Sequence, residues 1–204
     1  MPRNDSREDR IVALSGGEID RIETDVARIL DSVPGHIWNG RDLPVPIDLI
    51  ATEVYGLRVR RVRHEQLVEA AGIPPESGGT ISGLLLTGTG EIWVNDFEAA
   101  EWQGRRARFT ICHELGHFVM HQTGSPRIFC RSVEDGDGNV SSTASARPVR
   151  EVEADAFAAA LLMPAEILRG RIRDEALDYE LLCDEFEASR KAIGHRVRAV
   201  RQLT

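Results

Sequence analysis

Cysteine is scarce in this 204-residue chain: Cys112, Cys130 and Cys183 are an odd number at no regular spacing. That excludes a disulfide framework and any paired-cysteine zinc finger, and it points to a reducing compartment. Long apolar runs are missing too. No stretch approaches the ~20 apolar residues of a membrane span. Met1 to Arg10 is polar and no apolar segment follows it, so no signal peptide is expected and the chain reads as cytoplasmic. Positive charge is in deficit: the net charge of −8 excludes a surface that grips nucleic acid as a whole. Internal repeats are absent. What remains is a 42% apolar chain, enough for a sizeable core and of a length that fits one main domain with small appendages.

The stretch that carries chemistry is Arg108-Phe109-Thr110-Ile111-Cys112-His113-Glu114-Leu115-Gly116-His117-Phe118-Val119-Met120-His121. On a helix, His113 and His117 lie about 40° apart in projection and about 6 Å apart along the axis. Both imidazoles can therefore reach one metal ion from one face. Glu114 flanks that face at an angle unsuited to coordination but suited to taking a proton from water, which is the arrangement of a zinc hydrolase. Ile111, Leu115, Phe118 and Val119 form the opposite, buried face. Gly116 costs about 1 kcal/mol relative to Ala in mid-helix, so close approach of another element is expected there.

A third ligand is needed. His121 lies about 12 Å from His113 along an unbroken helix and is out of reach. The class that bends the chain at a glycine to bring in a third histidine is excluded, because Met120 and Thr123 occupy those positions. His121 reads as a helix-end residue suited to the dipole, or as support behind a ligand. A second helix, Arg150 to Met163 before Pro164, offers Glu151. Ala154, Phe157, Ala158 and Leu161 form its buried stripe, which Glu151 borders. Asp155 sits one turn on and can accept the spare N–H of a metal-bound histidine. Glu153 projects about 200° from Glu151 and is expected to face outward. Taken alone, Glu151 and Asp155 fit equally well as solvated charges on an amphipathic helix.

The pair of blocks, Arg-Phe-Thr-x-x-His-Glu-Leu-Gly-His-Phe and then Glu-x-x-Ala-Asp-x-Phe-Ala-x-x-Leu-Leu-Met-Pro, resembles the ImmA/IrrE metallopeptidases. The likeness runs from about Pro44 to the C-terminus. It implies zinc held by His113, His117 and Glu151, with Glu114 as general base. It also implies a substrate: an Xre-type helix-turn-helix repressor that the protease cleaves. The long polar interval between His117 and Glu151 departs from the pattern, and no sensor domain is expected after the C-terminal helices.

The rest of the chain reads around these blocks. Residues 1–16 are charged and expected to be mobile. Glu18 to Val33 reads as a helix ended by Pro34-Gly35, and Ile47 to Val54 as a short helix ended by Gly56. Leu57 to Arg63, Ile81 to Leu86 and Glu91 to Asn95 read as strands, the last two joined as a hairpin. The strand ending at Asn95 is expected to border the cleft and pair with an extended substrate, or else Asn95 is a turn residue. Gln122 to Pro148 reads as an insertion, either a lid or a passive loop, without the glutamate spacing of a calcium loop. From Arg171 two helices follow. Ser189 caps the second, which is basic through Arg190, Lys191, Arg196, Arg198 and Arg201. Their spacing fits a helix-turn-helix, with packing or protein recognition preferred over DNA.

The expected architecture is α+β: a zincin-like metallopeptidase core of small sheet plus His-Glu-x-x-His helix, with C-terminal helix-turn-helix-like helices. The segments are 1–40, 41–170 and 171–204. The expected activity is zinc-dependent peptide hydrolysis. The other class consistent with the residues is a non-catalytic partner of a repressor or of a toxin–antitoxin component. Glu114 favours the enzyme, since a structural site has no need of it. Tyr55, Tyr179 and His195 are the candidates for a further oxyanion donor.

Overall fold

The computed structural model describes residues 14–74, 80–97, 104–121, 128–133, 148–172 and 177–203. Most of the 1–16 tail lies outside them.

The first helix, α1 (Gly16–Ser32), begins at a capping box: Ser15 Oγ accepts from the Glu18 N–H, and the Glu18 carboxylate accepts from the Ser15 N–H at 2.7 Å. Ile22, Val26 and Leu30 form its buried stripe. A single turn, α2 (Ile47–Leu49), runs on into a π-helical segment (Ile50–Val54) that ends at Tyr55. Then come β1 (Arg58–Val62), α3 (His64–Ala71), β2 (Thr80–Leu86) and β3 (Glu91–Asn95). The long helix α4 (Arg105–Met120) carries the His-Glu-x-x-His motif. After it come β4 (Ile128–Val133), α5 (Val149–Leu162), α6 (Ala165–Ile172), α7 (Tyr179–Phe186) and α8 (Arg190–Val200). This is the expected α+β arrangement.

The four strands lie in the order β1-β3-β2-β4. β3 runs parallel to β1 and antiparallel to β2, and β4 is antiparallel to β2. Two expectations change here. β3 is an interior strand with neighbours on both sides, so its backbone groups are committed and it cannot pair with a substrate. Asn95 instead closes the strand: its side chain donates to the Ile81 carbonyl at 2.9 Å and accepts from the Phe97 N–H. The interval 122–148 is also not one loop, because β4 extends the sheet within it; residues 122–127 and 134–147 lie outside the described residues. Three elements were not anticipated: α3, β4 and α6. β4 escaped notice because its short run sits among polar and glycine-rich neighbours.

The sheet separates two apolar layers. On one face, Leu67 of α3 packs with Val62, Ile81, Leu84 and Trp93. On the other, Leu85, Ile92 and Val94 meet Ile111 and Leu115 of α4, in a core that continues through α5 to Ile193, Val197 and Val200 of α8. The C-terminal helices thus share the core that holds the motif helix. Ser189 caps α8 as its sequence indicates, accepting from the Ala192 N–H. Arg196, almost fully buried, donates from Nε to the Met163 carbonyl and pairs with Glu23 of α1.

Two glycines set the spacing of these layers. At Gly116 a side chain would meet Phe157 of α5 at 3.1–3.3 Å, so the absence of a Cβ lets α4 and α5 close on each other. At Gly83 a Cβ would lie 2.3 Å from Thr110 Cγ2 and 3.3 Å from Glu114 Oε1. The β2–β4 register slips between Ile81 and Gly83, beside this contact. Gly83→Ala should therefore cost about 1–3 kcal/mol by overpacking. Thr110→Ser removes the clashing methyl group and keeps the hydroxyl. Chemical denaturation of the two single variants and the double variant should show the double less destabilised than the sum of the singles.

Candidate metal centre

His113, Glu114 and His117 are fully buried on α4. The helix is enclosed on both sides, not only on its apolar back, because β2 lies against one flank and α5 against another. α5 presents Glu151 to both histidines. His113 Nε2 lies 3.1 Å from His117 Nε2; Glu151 Oε2 is 3.2 Å from the first and Oε1 3.2 Å from the second. The Glu151 side chain retains 23% exposure, so the triangle opens to solvent on the α5 side.

The three donors fit a divalent ion. Ligand atoms around a tetrahedral ion with bonds of about 2.0–2.1 Å stand roughly 3.3 Å apart. The observed edges are within a few tenths of that, and two imidazoles with one carboxylate are a donor set that zinc and its first-row neighbours accept. Among the described residues, this is the one group of three such side chains placed to hold an ion.

Each imidazole is held from behind. His113 Nδ1 lies 2.8 Å from Asp155 Oδ1, four residues after Glu151 on α5. A carboxylate only accepts, so Nδ1 of His113 carries a proton, and Nε2 is the nitrogen that faces the triangle and offers its lone pair once a cation takes the place of any proton there. His117 Nδ1 meets His121 Nδ1 at 2.9 Å, and His121 Nε2 lies 3.0 Å from Glu153 Oε2. Glu153 does not face outward: its side chain is only 14% exposed and also receives Arg21 of α1. The expectation failed because α1 covers the flank of α5 that a single-stripe reading leaves to solvent. The signal was present as the even spacing of His113, His117 and His121, one turn apart.

One Glu114 carboxylate oxygen lies close to Gly83 of β2, 3.3 Å from where a Cβ there would stand, and Glu114 is not among the three side chains grouped to hold an ion. The proposed oxyanion candidates are dispersed. Tyr55 stacks edge-on against Phe118, Tyr179 lies under the Arg190 guanidinium, and His195 is exposed on α8.

Burial would lower the His113 pKa, but the hydrogen bonds to Asp155 and Glu151 outweigh it and raise the value. Burial likewise pushes Glu151 up, and the two histidines more than reverse this, holding it well below the usual carboxylate range. His121 is lowered, chiefly by burial against the opposing pull of Glu153, and so is neutral at pH 7. Without metal, Asp155 and Glu151 favour a proton on His113.

A small mixed sheet backed by a helix with this donor triangle defines the class of metallopeptidases of the His-Glu-x-x-His type. Residues 90–198, more than half of the chain, match the IrrE N-terminal-like domain family, and the chain belongs to that family of peptidases. The matched region begins beside β3 and ends within α8, narrower than the span from Pro44 that the motif blocks implied. Among curated proteins, none matches the chain.

A pH dependence follows. In metal-free protein, the contribution of His113 is complete below 6.5 and is lost as pH rises through its higher folded value. That of Glu151 is complete above 4.5 and is lost as pH falls through its lower folded value. Thermal unfolding in chelator should therefore show the advantage of wild type over Glu151→Gln fully developed between 4.5 and 6.5 and declining on either side. Metal affinity should rise with pH as His113 gives up its proton.

Proposed function

We propose that the chain is a zinc-dependent endopeptidase that cleaves an Xre-type helix-turn-helix repressor in the cytoplasm and so relieves repression. The observation that carries the catalytic reading is the triangle of His113, His117 and Glu151 donors with 3.1–3.2 Å edges, beside a buried Glu114. Membership of a peptidase family supports the reaction type. The substrate reading rests on the resemblance of the two motif blocks to ImmA/IrrE metallopeptidases. Among the described residues no helix is long and apolar enough to cross a membrane.

In this reading His113, His117 and Glu151 hold the ion, and Asp155 orients His113. Zinc, when bound, supplies Lewis acidity that makes water more acidic and a peptide carbonyl more electrophilic. Glu114 accepts a proton from the attacking water and delivers it to the leaving amine. The absence of a side chain at Gly83 leaves room for that carboxylate next to β2. The Glu-x-x-x-Asp spacing of Glu151 and Asp155 is the gluzincin-like part of the proposal.

Elemental analysis should find one zinc per chain in wild type, and a loss of retention against chelator in Glu151→Ala. Glu114→Gln should keep both metal and fold while losing roughly 10²–10⁴ in the rate of peptide hydrolysis. The assay mixes an Xre-type repressor with wild type, Glu114→Gln and chelated protein, and follows fragments on a gel. Cleavage by Glu114→Gln at the wild-type rate overturns the mechanism. Binding by all samples with cleavage by none turns the reading to the non-catalytic partner.

The basic C-terminal helix is not proposed as a DNA reader. Arg196 is buried against Glu23, and Arg190 is engaged by Glu180 and Tyr179. A titration of the full chain with duplex DNA should show weak binding. Tight binding with a steep salt slope would make the chain a direct regulator.

A further inference from the structure

We propose that His121 and Glu153 form a positioning relay that fixes His117 in the tautomer a metal ligand requires. This rests on the metal-binding reading above and adds to it residues that do not themselves reach the ion.

The two histidine ligands are supported differently. His113 is held directly by a carboxylate, Asp155, at 2.8 Å. His117 has an imidazole in that position, with Nδ1 to Nδ1 at 2.9 Å. Two neutral rings make that bond in only one way: one nitrogen brings the proton and the other a lone pair. Glu153 decides which. Its carboxylate, 3.0 Å from His121 Nε2, can only accept, so the His121 proton sits on Nε2. His121 Nδ1 is then an acceptor, His117 Nδ1–H donates to it, and the lone pair of His117 is left on Nε2. That atom is the one 3.1–3.2 Å from His113 Nε2 and Glu151 Oε1. Reversing His121 would leave two N–H groups facing at 2.9 Å and its Nε2 lone pair against a carboxylate.

The parts sit where such a relay needs them. His121 is the C-terminal cap of α4, one turn beyond His117, and is 6% exposed. Glu153 is two residues after the third donor on α5, so the same helix supplies Glu151 to the triangle, Asp155 to His113 and Glu153 to His121. Arg21 of α1 donates to the other Glu153 oxygen at 3.3 Å. Arg21 is 64% exposed, so it adds little energy, but it occupies the oxygen that His121 does not use.

The test is metal affinity of the full chain, measured by competition between protein and a chelating dye for zinc, with thermal unfolding of the metal-free protein alongside. His121→Phe should weaken zinc binding by roughly 10–100-fold, the usual effect of removing the partner behind a ligand. His121→Gln carries one acceptor and one donor on its amide and should recover most of that loss. Glu153→Ala acts at the solvent end and should weaken binding in the same direction by less, which serves if His121→Phe does not fold. The visible spectrum of the cobalt-substituted protein should change in His121→Phe and return towards wild type in His121→Gln. Zinc affinity unchanged within about twofold in His121→Phe, or in Glu153→Ala should the Phe variant not fold, with only metal-free stability lowered, overturns the relay and leaves His121 as packing. Failure of wild type to bind zinc at all overturns the metal reading and the relay with it.

Discussion

The whole arrangement depends on how closely two helices can approach. A carboxylate on α5 completes a triangle with imidazoles on α4 only if the axes close beyond what ordinary side chains allow, and Gly116 against Phe157 permits it. Once that contact is set, α5 delivers three acids in register: Glu151 between the histidines, Asp155 behind one and Glu153 behind the other's support. The sheet serves the same end from the opposite side. Gly83 admits Glu114 to the space beside β2, and the register slip next to it turns Ile81 and Leu84 together towards α3.

Three buried imidazoles and their acids are costly to desolvate unless every polar atom is answered. Here the answers are arranged along lines: acid to imidazole to centre on one side, and acid to imidazole to imidazole to centre on the other. The preference for a proton at His113 and for charge on Glu151 belongs to the metal-free protein. A cation bound to the three donors would compete with that proton.

Helical periodicity made much of this legible. The spacing of His113 and His117, the buried stripe of Ala154, Phe157, Ala158 and Leu161, the caps at Ser189 and Pro164, and the glycine at 116 all express themselves within one turn or two. What depended on partners distant in sequence did not. Glu153 looked solvent-facing because α1, more than a hundred residues earlier, covers it. The strand ending at Asn95 looked like an edge, because nothing local tells that β1 pairs on its far side. β4 and α3 are short and carry weak patterns, and they gain their place from the sheet they join. Gly83, a plain glycine in an apolar strand, discloses its role only when the helix above it is known.

Arg196 shows how α8 is bound to α1. Its guanidinium lies in the interior, shared between Glu23 near the beginning and the Met163 carbonyl at the close of α5. Taking away Glu23 with α1 would leave the buried Arg196 charge without its acid, a loss of several kcal/mol where one partner of a buried pair is removed. Of the readings that the sequence left for this helix, packing on the core is the one the structure displays.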